Sequence, residues 1–383
     1  MMKAIKNIKV ITTEGIIEDH AVVYDQTIRE ILPEKQLPPG CRVVDGGGAY
    51  LAPGLIDLHI HGCAGYDTMD DDDQALKVMA NRLVSTGVTA FLPTTMTMDR
   101  ARIERALDRI AAAMNGEPGE GAQILGCNLE GPFLSRENKG AHDERYIIGP
   151  DFAWLQPYLG VIRVLTVAPE LDGVLDFIRQ LVAAGVVVAL GHSKATYEEA
   201  AEAIAAGGSL MTHLFNAMTP LHHRQPGMVG AAFSHEVSCE VIADNIHIVP
   251  VVQKLLPKLK SVEQLVLVTD AMRACLLADG TYDLGGLLVQ VKQGQARLED
   301  GTLAGSTLVL NEAVRNFYRN TELPLAEVVK MATLNPARIL RLEDRKGSIA
   351  PGKDADLVLW DEDFNVLMTI VAGETVFTER TSD

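Results

Sequence analysis

The residues with the clearest capacity for chemistry are His59 and His61, which lie two positions apart at the end of an apolar run. Residues two apart on a β-strand project from the same face, so both imidazoles can reach one point. Imidazole is the commonest metal ligand in proteins. The spacing therefore predicts a metal site, although two histidines that merely end a buried strand have the same pattern.

Other ionisable side chains also stand at the ends of apolar runs. Glu130, His192 and Asp270 each close such a run, and His213 is the penultimate residue of another. In a parallel barrel the carboxyl ends of the strands meet on one face, and active sites lie on that face. We therefore expect these side chains to converge with the histidine pair.

The elements that must position these residues form a repeating pattern in the middle of the chain. Short apolar runs alternate with Ala- and Leu-rich helical segments, and the runs are residues 55–61, 88–93, 123–130, 161–168, 186–192, 209–214, 240–244 and 265–270. Eight βα units over roughly 250 residues are typical of a closed barrel. The pattern predicts an α/β fold with a (β/α)8 TIM barrel.

The two ends of the chain contain short strands separated by turn residues. Each end alone is too small to bury a core, so the two ends are expected to pair. We predict a small β-sandwich domain built from residues 1–52 and 346–383. The catalytic barrel would then span residues 53–345.

Charge and cysteine content narrow the class of partner and the compartment. The 383 residues have a formal net charge of -17 and no lysine or arginine block, which argues against nucleic acid or an anionic membrane as partner. The 5 cysteines are scattered without a C-x-x-C pair, so no disulfide framework or structural zinc site is predicted. Because the start lacks a signal-peptide core and no run reaches ~18 apolar residues, we expect a cytoplasmic protein.

Several motifs carry a family resemblance. The segments PGLIDLHIHG (53–62), NPAR (335–338) and GSIAPGKDADL (347–357) resemble the amidohydrolase superfamily. Within that superfamily, the chain resembles the N-acetylglucosamine-6-phosphate deacetylases through the blocks NLEGPF (128–133), KGAH (139–142), GHS (191–193), THLFNAM (212–218), IADNIH (242–247) and VTDA (268–271). The resemblance extends over essentially the whole chain. It implies hydrolysis of N-acetyl-D-glucosamine 6-phosphate to D-glucosamine 6-phosphate and acetate, a step of amino sugar catabolism.

The resemblance also implies a ligand set for one or two divalent ions. Glu130, His192 and His213 match the primary metal ligands, and His59 and His61 would hold a second ion, with Glu130 as the bridge. Some members of the family replace this histidine pair with uncharged residues. Imidazole and carboxylate ligands accept zinc, iron, manganese, cobalt or nickel, so the sequence leaves the metal open.

Asp270 is the implied general base and acid. A carboxylate beside a metal-activated water can take its proton as the water attacks the acetamide carbonyl, and can then protonate the departing amine. Without that protonation an amine is a poor leaving group. An aspartate that caps a following helix is the alternative interpretation of this position.

The substrate contacts are implied by the same motifs. Arg224 and His247 match phosphate-binding positions, and in the family this arginine reaches across from the neighbouring subunit, which implies a homodimer. His142 matches a residue near the substrate carbonyl. The remaining matched positions are Ala141, Asn216, Ala217, Leu303 and Ala304.

Three alternatives stay open from the sequence. The motifs do not distinguish N-acetylgalactosamine 6-phosphate, which differs at one hydroxyl. An amidohydrolase acting on a cyclic amide is a second alternative, although residues 161–170 contain no lysine that could be carboxylated to bridge two metals. A non-catalytic binding protein is the third, and it requires a protein that binds no transition metal.

Overall fold

A mixed α/β arrangement is seen in the computed structural model, which describes residues 2–114 and 121–379. The strands are β1 (Lys3–Thr12), β2 (Gly15–Ile17), β3 (His20–Tyr24), β4 (Ile28–Pro33), β5 (Arg42–Pro53), β6 (Leu55–Ile60), β7 (Gly62–Cys63), β8 (Tyr66–Asp67), β9 (Val88–Pro93), β10 (Gln123–Ile124), β11 (Cys127–Glu130), β12 (Ile162–Val167), β13 (Val187–Leu190), β14 (Leu210–Met211), β15 (Ser238–Ile242), β16 (Leu265–Val268), β17 (Gly280–Leu284), β18 (Leu287–Lys292), β19 (Gln295–Arg297), β20 (Leu357–Trp360), β21 (Val366–Val371) and β22 (Glu374–Thr378).

Helices separate most of the central strands. The α-helices are α1 (Ala75–Leu83), α2 (Arg100–Met114), α3 (Phe152–Leu155), α4 (Val174–Ala183), α5 (Tyr197–Ala205), α6 (Gly227–Ser234), α7 (Pro250–Gln253), α8 (Leu256–Leu259), α9 (Leu310–Asn320), α10 (Leu325–Met331) and α11 (Leu334–Ile339). Short 3-10 helices cover Glu34–Gln36, Val84–Thr86, Glu144–Tyr146, Gln156–Tyr158 and Val262–Gln264. Among the described residues, no helix combines the length and the apolar character needed to cross a bilayer.

The central strands form two parallel sheets that meet at both edges. One sheet runs in the order β11-β12-β13-β14-β15-β16, and the other in the order β10-β9-β6. Isolated parallel bridges link Thr94 to Asn128 and Ile60 to Ala271. Helices cover both faces of a parallel sheet, so its strands are buried and mostly apolar. In agreement with this rule, every residue of β6, β9 and β16 is buried. The carboxyl ends of these strands consequently share one side of the protein.

Each of the eight predicted apolar runs overlaps at least one strand of these sheets. The third run is divided into β10 and β11 around Gly126, whose φ of 146° lies in a region that L-residues with a side chain rarely adopt. A Cβ at this position would also lie 2.7 Å from the Val161 carbonyl oxygen. The chain therefore bends here, so that β10 pairs with β9 and β11 pairs with β12.

Strands from both ends of the chain pair in one eight-stranded sheet. β1 lies parallel to β5, and β5 lies antiparallel to β20. Ile5, Leu51 and Leu357 from these three strands are fully buried in a shared apolar cluster. Because β5 is followed after one glycine by β6, this sheet is joined directly to the strand that carries His59.

The sequence pattern did not predict the antiparallel sheet formed by β17, β18 and β19. It lies between the last parallel strand and α9, within the range assigned to the barrel. Its strands alternate buried Val289 with exposed Leu288, a period of two that a search for continuous apolar runs does not detect. Arg297 and Leu303, at the end of this sheet, line the cavity that also contains Glu130 and Asp270.

Candidate metal centre

Histidines surround Glu130 at the carboxyl end of β11. The Oε1 atom of Glu130 lies 3.1 Å from the Nε2 atoms of both His192 and His213. Its Oε2 atom lies 3.1 Å from His61 Nε2 and 3.3 Å from His59 Nε2. The two oxygens of one buried carboxylate therefore face two different histidine pairs.

The backbone turns where the strands end, and this turn aims the side chains inward. His192 and His213 lie two residues beyond β13 and β14, and Asp270 lies two residues beyond β16. Their φ angles are positive, at 47°, 30° and 48° respectively. Such conformations are costly for residues with a Cβ and cluster at functional sites.

The cluster has the features of a cation site rather than of a hydrogen-bonded core. Among the described residues, the buried His59 Nε2 and His213 Nδ1 atoms have no hydrogen-bond partner. The Nε2 atoms of His192 and His213 lie 3.0 Å apart, where two bare lone pairs repel unless a proton or a cation lies near them. The ligand atoms of His59, His61 and Glu130 all lie within 4.8 Å of one another. Imidazole and carboxylate donors in this arrangement fit a divalent transition metal.

Asp270 lies on the His59 and His61 side of the cluster. Its Oδ1 atom is 3.2 Å from His61 Nε2 and 3.5 Å from His59 Nε2. Burial favours the neutral acid, but the charge of His59 and the hydrogen bond with His61 outweigh it and lower the pKa of Asp270 to about 2. The carboxylate is thus ionised and can accept a proton.

The pKa values of His59 and His61 shift in the direction opposite to that of Glu130. Burial favours neutral imidazole, but hydrogen bonds to Asp270 and Glu130 raise the pKa of His61 to about 9. Burial likewise favours a neutral Glu130, but His59 and the hydrogen-bonding histidines hold its pKa well below its usual range. A divalent cation bound here would replace protons that the imidazoles otherwise carry.

His142 is held as a neutral donor. Burial lowers the pKa of His142 to about 4, so its ring is uncharged near pH 7. The Thr97 backbone N–H donates to His142 Nδ1 at 3.2 Å, which leaves the ring proton on Nε2. This Nε2 lies 3.5 Å from Glu130 Oε2, and His142 lines the cavity beside the metal cluster.

A polar cavity of about 660 Å³ opens onto the cluster. Of the residues predicted to contact substrate, those in its lining are Ala141, His142, Asn216, Ala217, His247 and Leu303. His247 is fixed by Asp244, whose Oδ2 lies 2.6 Å from His247 Nδ1. A larger cavity of about 1010 Å³ lies elsewhere, around α1 and α2.

Two of the residues predicted to contact substrate, Arg224 and Ala304, do not line the polar cavity. Arg224 is exposed on the loop before α6, where its guanidinium donates to His223 Nε2 at 2.6 Å, and among the described residues it is not part of the cavity wall of its own chain. Ala304 is fully buried and is not in the cavity lining, and its backbone N–H donates to the Ala296 carbonyl.

The sequence interpretation missed several polar residues of the site. Lys139 and Arg297 line the same cavity and bring positive charge to it. Glu240 and Asp57 are fully buried, and each contacts His59. The sequence feature that could have identified Glu240 and Asp57 is a carboxylate inside an otherwise apolar strand. A carboxylate is rarely buried unless it has a hydrogen-bonding or ionic partner.

Comparisons with known proteins agree with this geometry. A model described as "Amidohydrolase family" matches residues 50–376. The N-acetylglucosamine-6-phosphate deacetylase of Bacillus subtilis (strain 168) is 38% identical over 388 residues, covering 99% of this chain and 98% of that protein. The N-acetylgalactosamine-6-phosphate deacetylase of Escherichia coli O157:H7 is 40% identical over 372 residues, covering 96% and 97%. A solved structure of a mutant N-acetyl-D-glucosamine-6-phosphate deacetylase from Mycobacterium smegmatis, in complex with N-acetyl-D-glucosamine-6-phosphate, has a TM-score of 0.91 and 32% identity, covering 99% of each chain.

Proposed function

The chain belongs to the amidohydrolase family, and on this premise we propose that it hydrolyses N-acetyl-D-glucosamine 6-phosphate to D-glucosamine 6-phosphate and acetate. The observation that carries the proposal is the buried Glu130, whose two oxygens face two histidine pairs beside a polar cavity. Relatives whose names carry this activity align over nearly the full length of both chains.

The proposed metal ligands divide between the two oxygens of Glu130. Glu130 Oε1, His192 and His213 would hold one divalent cation, and Glu130 Oε2, His59 and His61 would hold a second. A cation bound there acts as a Lewis acid and lowers the pKa of a water molecule.

Asp270 is the proposed proton carrier. Its ionised carboxylate lies beside His61 and lines the substrate cavity. It takes a proton from the water that attacks the acetamide carbon, and it passes this proton to the nitrogen as the C–N bond breaks. The product is therefore a neutral or protonated amine rather than an amide anion.

His142 is the proposed donor to the acetamide oxygen. Its Nε2–H is fixed by the Thr97 contact to Nδ1, so the proton faces the cluster. A neutral donor placed where negative charge develops on oxygen stabilises the transition state. Because the ring stays neutral above pH ~4, this donor neither repels the cations nor loses its proton near pH 7.

The proposed substrate contacts extend from the cluster to the cavity wall. His247 binds the phosphate from within the cavity, and Leu303 lines the cavity wall. The proposed contact of Ala304, which is fully buried, follows from its place next to Leu303 in the chain. Arg224 of a second subunit supplies the guanidinium, so the assembly is a homodimer. Supporting this assignment, Arg224 lies exposed and away from its own cavity in the described chain. The remaining contacts come from Ala141, Asn216 and Ala217, the alanines through their backbone groups.

A mixing experiment tests the shared site. Arg224→Ala and Asp270→Asn homodimers are each expected to be nearly inactive. In a hybrid dimer, one site carries both substitutions and the other site carries neither. A mixture of the two homodimers is therefore expected to regain part of the activity once their subunits have exchanged. Mixtures that stay inactive despite demonstrated exchange contradict a shared site.

We also propose the finer architecture from which the site is built. Residues 53–345 form a closed (β/α)8 barrel, supported by the bridges Thr94–Asn128 and Ile60–Ala271 that join the two parallel sheets. Residues 1–52 and 346–383 form the small β-sandwich domain, supported by the pairing of β1, β5 and β20; residue 1 and residues 380–383 of these ranges lie outside the described residues. The 5 cysteines, all within the described residues and all free thiols, support a cytoplasmic location.

The direct test is acetate release from three substrates by enzyme of known metal content. We expect the highest kcat/KM with N-acetylglucosamine 6-phosphate. N-acetylgalactosamine 6-phosphate is the second candidate, because the 40% identical relative from Escherichia coli O157:H7 is named for that sugar. Hydrolysis of dihydroorotate without release of acetate from either sugar would contradict the proposal.

A further inference from the structure

The strongest feature outside the proposed ligand set is Glu240, a fully buried carboxylate in the middle of β15. Its Oε2 atom lies 2.9 Å from His59 Nδ1. The opposite nitrogen of the same ring, Nε2, faces Glu130 and Asp270. The imidazole therefore stands between Glu240 and the cluster, so Glu240 acts through the ring of His59.

The same carboxylate also holds the other side of the cluster. Glu240 Oε2 accepts the backbone N–H of His213 at 3.0 Å, and the Glu240 carbonyl accepts the N–H of Leu214 at 2.9 Å. These bonds fix the backbone at His213, where φ is 30°. One oxygen atom thus contacts a residue of each histidine pair.

We propose that Glu240 is a positioning residue that fixes the tautomer and orientation of His59 and the backbone of His213 for metal binding. This inference rests on the two-ion site of the proposed function. A carboxylate that accepts the Nδ1 proton leaves the Nε2 lone pair directed at the metal and makes the imidazole a better ligand. Glu240 Oε1 has no hydrogen-bond partner among the described residues, so Oε2 makes the contacts that connect this side chain to His59 and to the His213 backbone.

Zinc affinity separates this role from a purely structural one. In Glu240→Gln the side chain keeps its volume and an acceptor oxygen but loses its charge. Full-length protein is stripped of metal and titrated with zinc against a chelator of known affinity. We expect the second ion, held by His59 and His61, to bind about 10–100-fold more weakly, and the first ion to change much less.

Asp356→Asn is the matched control. Asp356 is also a buried carboxylate, but it binds Lys346 and the Ala372 backbone in the terminal sheet. This variant should lose stability without losing zinc affinity. Unchanged affinities for both ions in Glu240→Gln overturn the inference, and so does a wild-type protein that binds no second ion.

A measurement on the wild-type protein covers the case in which Glu240→Gln does not fold. In the zinc-loaded protein, the 15N spectrum should show the proton of His59 on Nδ1 and the metal on Nε2. Zinc on Nδ1 overturns the inference. Acetate release is measured in parallel, so a wild-type protein that binds both ions but releases no acetate refutes the proposed function and leaves Glu240 to be judged on zinc affinity alone.

Discussion

Replacing Asp270 with asparagine tests the proton-transfer step most directly. Asparagine has the size of aspartate but cannot accept a proton from water or deliver it to the amine. General acid–base catalysis contributes about 10²–10⁴-fold, which is about 3–5 kcal/mol of transition-state stabilisation. We expect kcat to fall by this factor, with a smaller change in KM.

The structure predicts which ion the variant keeps. Asp270 Oδ1 lies 3.2 Å from His61 and 3.5 Å from His59, whereas His192 and His213 contact Glu130 Oε1. The ion held by Glu130, His192 and His213 should therefore remain. Loss of that ion would make the variant uninformative about proton transfer, so metal content and kcat are measured on the same sample.

A matched variant controls for the loss of negative charge near the substrate. Asp300 also lines the cavity, where its carboxylate accepts the Thr302 backbone N–H. We expect Asp300→Asn to keep a kcat near the wild-type value. A metal-replete Asp270→Asn enzyme with a kcat close to that of Asp300→Asn would remove Asp270 from the mechanism.

The remaining predictions concern metal content and pH. Replacing His59 and His61 together with asparagine should remove one equivalent of metal and leave the equivalent held by His192 and His213, as elemental analysis would show; loss of both ions would contradict separate sites. Stripping the metal with a chelator should abolish acetate release, and zinc should restore it; activity that survives complete removal would refute metal dependence. Burial raises the pKa of Asp57 to about 7 from its usual 3.8, against opposing hydrogen bonds from Thr269 and His59. The folded state therefore binds this proton more tightly than the unfolded state. The contribution of Asp57 to the free energy of unfolding is present at low pH and is lost as pH rises through about 7, by at most about 4 kcal/mol. Urea unfolding in chelator should therefore show a weaker decline in stability between pH 4 and 7 for Asp57→Asn than for the wild type, and parallel curves would contradict this.

Much of the secondary structure could be predicted from local pattern. β9 has the limits of the predicted run 88–93, because the apolar character and length of a strand are properties of neighbouring residues. The antiparallel sheet β17–β19 was missed, since its short alternating strands resemble a polar loop. The division of the third run at Gly126 was also missed, because the chain approaches Val161 there, where the Cys127 backbone N–H donates to the Val161 carbonyl across a long separation in sequence.

The pattern of residue types predicted which side chains could bind a metal, and it predicted that His59 and His61 reach one point, where both Nε2 atoms lie near Glu130 Oε2. It could not determine how the two oxygens of Glu130 divide between histidines that lie 62 and 83 residues further along the chain. It also gave no sign that Thr97 fixes the tautomer of His142, or that Glu240, 181 residues from His59, contacts that ring. The physical reason is that strand formation depends on near neighbours, whereas these distances depend on how the parallel strands are ordered and where each one ends.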